Sequence, residues 1–302
     1  MIYTVTLNPS LDYFAMTDTI RAGKTNRTHG EYIVPGGKGL NVSMVLSRLG
    51  MKSTAIAFTA GFTGAELVRL LKAEAVDTEV IDAGEGFSRI NVKINTGQIT
   101  EFNGEGVTLS EELVLKLKNR LSRLGKEDLV IFSGSLPKGV KSGFYRDLMA
   151  ETPARVILDT YGEALVSALP LKPFLIKPND EEIEAIMGRP VQDERDLREQ
   201  MEALQALGAR NVMVSLGEKG AALLTEDGGF YRETPPAVPP GRTLNTVAAG
   251  DSMIAGFLYG LEAFGDCEKA LRFSVTAGTA AAYSEWLPEK AFIGELWGEK
   301  MD

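Results

Sequence analysis

Histidine and cysteine are almost missing from this chain of 302 residues, which contains one of each, His29 and Cys267. A single cysteine excludes an intrachain disulfide and cysteine-rich zinc sites, and a single histidine excludes the paired histidines of an HExxH metalloprotease. Basic residues do not outnumber acidic ones, since the formal net charge is −9. We therefore expect no nucleic-acid partner, although a few local cations and helix N-termini can still bind an anionic small molecule.

Long hydrophobic runs are missing as well. No window offers about 18 uninterrupted apolar residues, which is the length that spans a bilayer. The N-terminal MIYTVTLNPS lacks the basic region and the long apolar region of a secretion signal. We therefore expect neither a membrane partner nor export, and the predicted location is the cytoplasm.

Short runs rich in β-branched residues alternate with amphipathic stretches along nearly the whole chain. The almost continuous apolar character of these runs is typical of strands buried on both faces of a parallel sheet. The alternation predicts an α/β fold with right-handed crossovers. Predicted strands cover 2–7, 53–58, 128–134, 155–159, 173–177 and 211–217, and predicted helices cover 40–49, 64–75, 110–124, 142–150, 179–187, 193–207, 249–264 and 266–283.

Two segments interrupt this alternation. Residues 10–35 are polar and strand-like, and residues 87–103 predict a hairpin that turns around Asn95-Thr96-Gly97. Together they can form a small second sheet that covers a cleft as a lid, although an ordinary solvated β-meander fits the same pattern. If the lid has exposed edge strands, these can pair between subunits and form a homodimer. We otherwise predict a single domain over residues 1–302.

A glycine-rich segment, PGGKGLN at 35–41, lies at the start of a predicted helix. Its adjacent glycines would let backbone N–H groups approach a ligand, whereas an ordinary glycine-rich turn explains the same residues. The spacing matches neither a P-loop nor the dinucleotide-binding fingerprint. Lys38 and Asn41, with Asp12 upstream, favour a sugar-phosphate site, because they offer donors and acceptors for hydroxyls and a cation for a phosphate.

Two further polar segments directly follow predicted strands, FSGSLPKG at 132–139 and IKPNDEE at 176–182. Ligands of open α/β sheets bind beyond the carboxyl ends of the strands, which places Ser135 near a ligand. The oxygen atoms of Asn179 and Glu182 suit Mg²⁺ close to a phosphate. Taken singly, a plain strand-to-helix turn and an N-capping asparagine with acidic residues in the first turn are the simpler explanations.

An aspartate stands at the predicted start of the helix at 249–264, in NTVAAGDSMIAGF. Free N–H groups and the positive end of the helix dipole can stabilise the charge that spreads over a transferring phosphoryl group. A carboxylate beside them, that of Asp251, can accept the proton of an attacking hydroxyl. Aspartate is equally a preferred helix N-cap, so this stretch alone leaves the two explanations balanced.

Taken together, these segments resemble the pfkB family of carbohydrate kinases, which includes ribokinase and the minor phosphofructokinases. PGGKGLN is similar to the N-terminal signature of the family, and TVAAGDSMIAGFL is similar to its C-terminal signature. The pairing of the two signatures is more specific than either alone, and the resemblance covers essentially the whole chain. It implies a ribokinase-like, three-layer α/β/α fold with a mainly parallel central sheet and a small β-sheet lid.

Within the family, VTLNPSLD, SGSLP, IKPN and VSLGEKGA are similar to the branch that acts on phosphorylated ketohexoses, and SRINVKI with ITEFNG looks most like its 1-phosphofructokinases. The resemblance implies that ATP, with Mg²⁺, phosphorylates fructose 1-phosphate at its 6-hydroxyl. The alternatives are a tagatose-6-phosphate kinase or a 6-phosphofructokinase of the same family. A nucleotide or sugar-phosphate sensor that has lost catalysis is a further alternative.

The family motifs also imply roles for individual residues. The implied catalytic base is Asp251, with the amides of Ala248, Ala249 and Gly250 as an anion hole. The implied sugar-phosphate residues are Asp12, Lys24, Gly36, Gly37, Lys38, Asn41, Arg89 and Ser135. The implied ATP residues are Lys177, Asn179, Ser215, Gly217, Gly220, Thr243, Val275 and Thr279, and Glu182 joins Asn179 in the Mg²⁺ network.

One residue departs from the family pattern, because Ala248 stands where the family usually has glycine. An anion hole uses backbone N–H groups, and alanine supplies one wherever φ is negative. Since φ is negative in a helical turn, we expect Ala248 to serve as well as glycine.

Overall fold

Two sheets organise the computed structural model, which describes residues 1–137, 139–242 and 244–298. The main sheet contains β1 (Ile2–Thr6), β4 (Ser53–Thr59), β5 (Asp77–Asp82), β8 (Leu129–Ser133), β9 (Arg155–Asp159), β10 (Leu175–Ile176), β11 (Asn211–Ser215), β12 (Ala221–Leu224) and β13 (Phe230–Glu233). The smaller sheet contains β2 (Ser10–Met16), β3 (His29–Gly36), β6 (Arg89–Asn95) and β7 (Ile99–Asn103).

The helices alternate with the strands of the main sheet, as the sequence predicts. They are α1 (Lys38–Leu49), α2 (Gly61–Ala73), α3 (Glu111–Leu121), α4 (Phe144–Glu151), α5 (Gly162–Val166), α6 (Asp180–Met187), α7 (Glu194–Ala206), α8 (Ala249–Phe264), α9 (Cys267–Ala282) and α10 (Lys290–Trp297). Two short 3₁₀ helices cover Leu169–Leu171 and Gly217–Lys219. In the part of the chain that the structure describes, no helix combines the length and apolar character needed to cross a bilayer.

The main sheet has the order β13-β12-β11-β10-β9-β8-β1-β4-β5. Every pairing from β11 to β5 is parallel, and β12 and β13 extend the sheet by antiparallel pairing. Side chains alternate between the two faces of a strand. On β8, Ile131 accordingly belongs to a core shared with α1, α8 and α9, whereas Val130 and Phe132 belong to a second core shared with α3, α4 and α7. Helices therefore cover both faces, and the predicted three-layer α/β/α arrangement is confirmed.

The smaller sheet joins the two segments that interrupt the alternation. Its order is β3-β2-β6-β7, with β2 antiparallel to β3 and parallel to β6. Strands β6 and β7 form the predicted hairpin, in which Asn95 pairs with Ile99 across the turn. Segments 10–35 and 87–103 thus meet in one sheet although about 50 residues separate them in sequence.

Close packing at Gly37 joins β1 to α1. Gly37 has a φ of +127°, and a Cβ built on it would lie 2.7 Å from Cγ2 of Thr6. Only glycine adopts this backbone conformation without strain, and it also allows the close approach. The glycine-rich segment therefore serves the packing of α1 against β1 and places the start of α1 beside the carboxyl end of β1.

Ala248 caps α8 in a conformation that differs from the expected one. Its φ is +61° and its ψ is 6°, in the left-handed region, where a Cβ costs about 1–2 kcal/mol. The expectation of a negative φ was wrong, because this residue turns the chain into the helix and does not belong to the first helical turn. The family's usual glycine suits this conformation better than alanine does.

We expect Ala248→Gly to raise the free energy of unfolding by about 0.5–1 kcal/mol. Relief of the left-handed strain outweighs the smaller entropic cost that glycine adds through the unfolded chain. Ala249→Gly is the matched control, because Ala249 is helical and glycine there should destabilise by about 0.5–1 kcal/mol. Urea denaturation measures both changes, and a loss of stability in both variants would contradict the prediction.

Candidate active site

A cavity of about 1340 Å³ opens at the carboxyl ends of the main-sheet strands, between this sheet and the smaller one. Most of the residues that the sequence nominates line it. They are Asp12, Gly37, Lys38, Asn41, Arg89, Ser135, Lys177, Asn179, Glu182, Ser215, Gly217, Gly220, Ala248, Ala249, Gly250, Asp251, Val275 and Thr279.

Two nominated residues do not line the cavity, and a third lies outside the described residues. Lys24 is exposed in the connection between β2 and β3. Gly36 lies behind the cavity wall, and a Cβ built on it would lie 2.4 Å from Oδ1 of Asp12, so this glycine makes room for that carboxylate. Thr243 lies outside the described residues.

The Asp251 carboxylate is buried at the start of α8. Its Oδ2 accepts a hydrogen bond of 2.8 Å from Nδ2 of Asn41. Burial raises the pKa of Asp251 to about 6, and the nearby ammonium group of Lys38 opposes that rise. Asp251 does not cap α8 with its side chain, since Ala248 occupies the N-cap position. The helix-capping explanation of this aspartate is thereby ruled out, and its carboxylate is a stronger base than an ordinary one.

Asp159 joins two lysines across the floor of the cavity. It is the last residue of β9, and its carboxylate lies 3.3 Å from Nζ of Lys38 and 3.2 Å from Nζ of Lys177. Burial works against the charged form of Asp159, but Lys177 and Lys38 outweigh it and hold the pKa of this carboxyl below its ordinary value. In return, Asp159 raises the pKa of Lys38, so Lys38 stays cationic. Sequence reasoning missed Asp159, although the strand-end rule that nominated Ser135 applies equally to RVILD.

Backbone N–H groups at the start of α8 border the same cavity. Within the described residues, the amides of Ala248 and Gly250 donate to no backbone carbonyl, whereas Ala249 donates to the Thr246 carbonyl at a long 3.3 Å. A Cβ built on Gly250 would lie 3.0 Å from Nζ of Lys177, so this ammonium group lies beside the helix start. The free amides, the helix dipole and the cation together make a site for an anion.

The smaller sheet contributes a second polar cluster. Oδ1 of Asp12 accepts hydrogen bonds from Oγ of Ser10 at 2.6 Å and Nδ2 of Asn91 at 2.9 Å, and its Oδ2 lies 3.2 Å from Nζ of Lys93. Arg89 lies next to this cluster, where burial lowers its pKa and Asp12 opposes that shift. Sequence reasoning found Arg89 but missed Asn91 and Lys93. Alternation along β6 could have found them, because residues two apart on a strand share one face.

Asn179 and Glu182 form a capping box at the start of α6. Oδ1 of Asn179 accepts from the Glu182 amide at 2.7 Å, and Oε2 of Glu182 accepts from the Asn179 amide at 2.9 Å. The simpler explanation of this segment is thus confirmed. Among the described residues, no group of three or more His, Cys, Asp or Glu side chains is placed to hold a metal ion. Oε1 of Glu182 takes no part in the cap, which leaves one carboxylate oxygen at the cavity.

Several buried polar atoms at the cavity have no hydrogen-bond partner within the described residues. They include Oγ1 of Thr6, Oδ1 of Asn41 and Oγ of Ser133. Buried polar groups without partners are costly, so proteins rarely leave them unless a ligand or water satisfies them. These atoms fit a ligand rich in hydroxyl groups.

Known proteins resemble the chain over nearly its full length. A family model described as pfkB family carbohydrate kinase matches residues 6–285. The 1-phosphofructokinase of Bacillus subtilis is 38% identical over 99% of this chain and 98% of its own, and the D-tagatose-1-phosphate kinase of Bacillus licheniformis is 35% identical over 95% and 94%. The structure of phosphofructokinase-2 from Escherichia coli with fructose-6-phosphate superposes with a TM-score of 0.89, at 31% identity and 98% coverage of both chains.

These likenesses agree with the cavity just described, and they confirm the ribokinase-like fold and the sugar-phosphate kinase activity that the sequence implies. The two signatures at 35–41 and 246–258 lie at opposite ends of the matched region and meet in one cavity. The chain belongs to the pfkB family of carbohydrate kinases.

Proposed function

We propose that this kinase transfers the γ-phosphate of ATP to the 6-hydroxyl of fructose 1-phosphate and so makes fructose 1,6-bisphosphate. The observation that carries the proposal is the buried Asp251 carboxylate beside the free amides of α8, in a cavity that also contains Lys38 and Arg89. The name of the Bacillus subtilis relative supports the choice of sugar. We expect the enzyme to act in the cytoplasm, where ATP is available.

Asp251 acts as the general base. Its pKa of about 6 keeps it ionised at neutral pH and still makes it basic enough to take a proton from an attacking hydroxyl. The hydrogen bond from Asn41 to Oδ2 fixes the carboxylate, and Oδ1 is left to receive the proton. The deprotonated hydroxyl oxygen then attacks the γ-phosphorus in line with the leaving ADP oxygen.

The negative charge of the transferring phosphoryl group is stabilised by groups that are in place before the reaction. The amides of Ala248 and Gly250 donate to no backbone carbonyl within the described residues, and the Ala249 amide makes only a long bond of 3.3 Å to Thr246, so these donors are available to the anion. The ammonium groups of Lys38 and Lys177 add fixed positive charge. Donors that need no reorganisation are worth several kcal/mol at the transition state.

ATP binds on the side of the cavity formed by the ends of β10 and β11 and by α9. The proposed contacts are Lys177, Asn179, Ser215, Gly217, Gly220, Val275 and Thr279, all of which line the cavity. Mg²⁺ in kinases is held by one or two carboxylates together with phosphate oxygens and water, and the free Oε1 of Glu182, near Asn179, fits that pattern. Bound there, the ion would neutralise charge on the phosphates of ATP.

The smaller sheet binds the sugar phosphate and covers it as a lid. Asp12 offers an acceptor for sugar hydroxyls, and Arg89 offers a half-buried cation whose buried Nε has no partner within the described residues. A phosphate that pairs with this guanidinium would satisfy it. Coverage of the cavity by this sheet would exclude the water that otherwise hydrolyses ATP.

We also propose that the outer face of the lid pairs with a second copy of the chain. Cross-strand register puts Ile33, Tyr13, Val92 and Phe102 in one row across this face, and Ile33 is 47% and Phe102 59% exposed. An exposed apolar row on one face of a sheet favours a protein partner. A second copy of the chain is the partner that we propose, because a solved inhibited form of phosphofructokinase-2 from Escherichia coli is tetrameric. Sedimentation velocity tests this.

Asp251→Asn should lower kcat by about 10²- to 10⁴-fold, because the amide cannot accept the proton of the hydroxyl. Binding of the sugar phosphate should largely persist, since the side chain keeps its size. Steady-state kinetics with fructose 1-phosphate and calorimetric titration with the same sugar separate the two effects. Glu262→Gln, an exposed change on the same helix, is the control and should leave both unchanged. Near-normal turnover in the Asp251 variant would contradict the assignment of Asp251 as the general base.

The rate should fall with acidity below about pH 6, roughly tenfold per pH unit in kcat/KM, as Asp251 becomes protonated. The second ionisation of a phosphate monoester lies near pH 6 as well, so a second variant must identify the titrating group. The hydrogen bond from Asn41 lowers the pKa of Asp251, so Asn41→Ala should move the acid limb to higher pH. A limb that stays in place in that variant would assign it to the substrate.

Fructose 1-phosphate should give the highest kcat/KM among ketohexose phosphates, by about tenfold or more. The comparison should include fructose 6-phosphate, tagatose 6-phosphate and tagatose 1-phosphate, the last because of the Bacillus licheniformis relative. Preference for another of these sugars would overturn the choice of substrate and leave the kinase assignment intact. Failure to turn over ATP with any of them would favour a sugar-phosphate sensor.

A further inference from the structure

Lys93 places a buried ammonium group on the inner side of the smaller sheet. The residue is 5% exposed, and its Nζ lies 3.2 Å from Oδ2 of Asp12 and 3.5 Å from Oε1 of Glu101. Its Nζ also lies over the ring of Phe14, 5.2 Å from the ring centroid. A buried lysine destabilises the protein unless its ammonium group is paired with an anion, so we expect Lys93 to interact specifically with one of these carboxylates.

The partner with the better geometry is Asp12. Oδ1 of Asp12 already accepts from Ser10 and Asn91, and Lys93 approaches Oδ2. Asn91 is itself fixed, because its Oδ1 accepts from the Gly104 amide at 3.2 Å. Three donors from two neighbouring strands therefore hold one carboxylate in a single orientation, and the remaining lone pair of Oδ2 is available to a ligand.

Lys93 is poorly suited to bind the sugar's phosphate itself. Two carboxylates, those of Asp12 and Glu101, already face its ammonium group. Arg89, four residues earlier on the same strand face, is the cation with an unpartnered buried nitrogen. On this face, Arg89 is therefore the cation that is available to an anionic ligand, whereas Lys93 is already paired with carboxylates.

We propose that Lys93 is a positioning residue that fixes the Asp12 carboxylate as the acceptor for a sugar hydroxyl. This inference rests on the proposed function, because it requires Asp12 to bind the sugar. Lys93 itself lines the cavity, but its ammonium group is held by carboxylates, so it acts on sugar affinity through Asp12. Without the charge-assisted hydrogen bond from Lys93, the Asp12 carboxylate can rotate away from the sugar hydroxyl whose hydrogen bond it accepts.

The test is a double-mutant cycle with Lys93→Met and Asp12→Asn. Lys93→Met should weaken binding of fructose 1-phosphate, measured by calorimetric titration, by about 10- to 100-fold, the worth of one charge-assisted hydrogen bond. The KM for ATP should not change. In the Asp12→Asn background, the same lysine change should alter sugar affinity by less than about threefold, because the partner is already gone. Lys93→Arg should restore most of the affinity, and the exposed Lys116→Met should have no effect.

An additive cycle, in which Lys93→Met costs as much in the Asp12→Asn background as in the wild type, would overturn the inference and make Lys93 a direct ligand. If Lys93→Met alone does not fold by circular dichroism, the double variant still tests it, since it removes both buried charges. Equal sugar affinities of Asp12→Asn and the double variant then support the inference, and a tenfold difference overturns it. Unchanged sugar affinity in Asp12→Asn would also overturn the inference about Lys93. If Asp251→Asn still loses turnover in that case, the kinase assignment stands independently of this inference.

Discussion

The ion pairs of Asp159 with two lysines are the interaction on which the catalytic half of this enzyme depends. Two ammonium groups that face one cavity would repel each other, and a third charge between them makes the arrangement stable. Asp159 is 3% exposed and reaches both groups with one carboxylate. Because Lys177 follows β10 and Lys38 begins α1, this single aspartate fixes the helix start relative to the sheet.

The same charges tune the base. Burial raises the pKa of Asp251, Asp159 adds to that rise, and Lys38 with Lys177 oppose it. The carboxylate therefore ends near a pKa of 6, which suits a base that works at neutral pH. When Asp251 is ionised, the two lysines and two aspartates sum to zero charge, so the cavity floor is neutral before the phosphates of ATP enter it. The helix dipole, the amides of α8 and a bound Mg²⁺ would then add to the two ammonium groups in binding the phosphates.

The fold brings these groups together by a rule that can be applied to the sequence. Neighbouring parallel strands end at one edge of a sheet, and the order β10-β9-β8-β1 puts Lys177, Asp159 and Ser133 side by side there. Apolar runs and helical periodicity are enough to predict those strands, since each run is long and buried on both faces. Most of the cavity's main-sheet wall was therefore predictable.

Other features were hidden because they depend on three-dimensional context. The left-handed backbone at Ala248 follows from the path by which the chain enters α8, and alanine gives no local signal for it. Lys93 reads as one more polar residue in a hairpin until register pairs β2 with β6 and brings Asp12 to Asn91. Parallel pairing between distant strands leaves no trace in the sequence of either one, so this cluster required the structure.

The two halves of the site are held in place by different forces. On the main sheet, a large apolar core buries α1 and α8 and fixes the position of both helices, and polar contacts then only orient the side chains at their ends. On the outer face of the smaller sheet, Ile33 and Phe102 are exposed and lack such packing. Its inner face must therefore position Asp12 by hydrogen bonds and an ion pair, and Lys93 supplies the rigidity that packing does not. A sheet built in this way can move over the cavity as a unit and still present its carboxylate in one orientation.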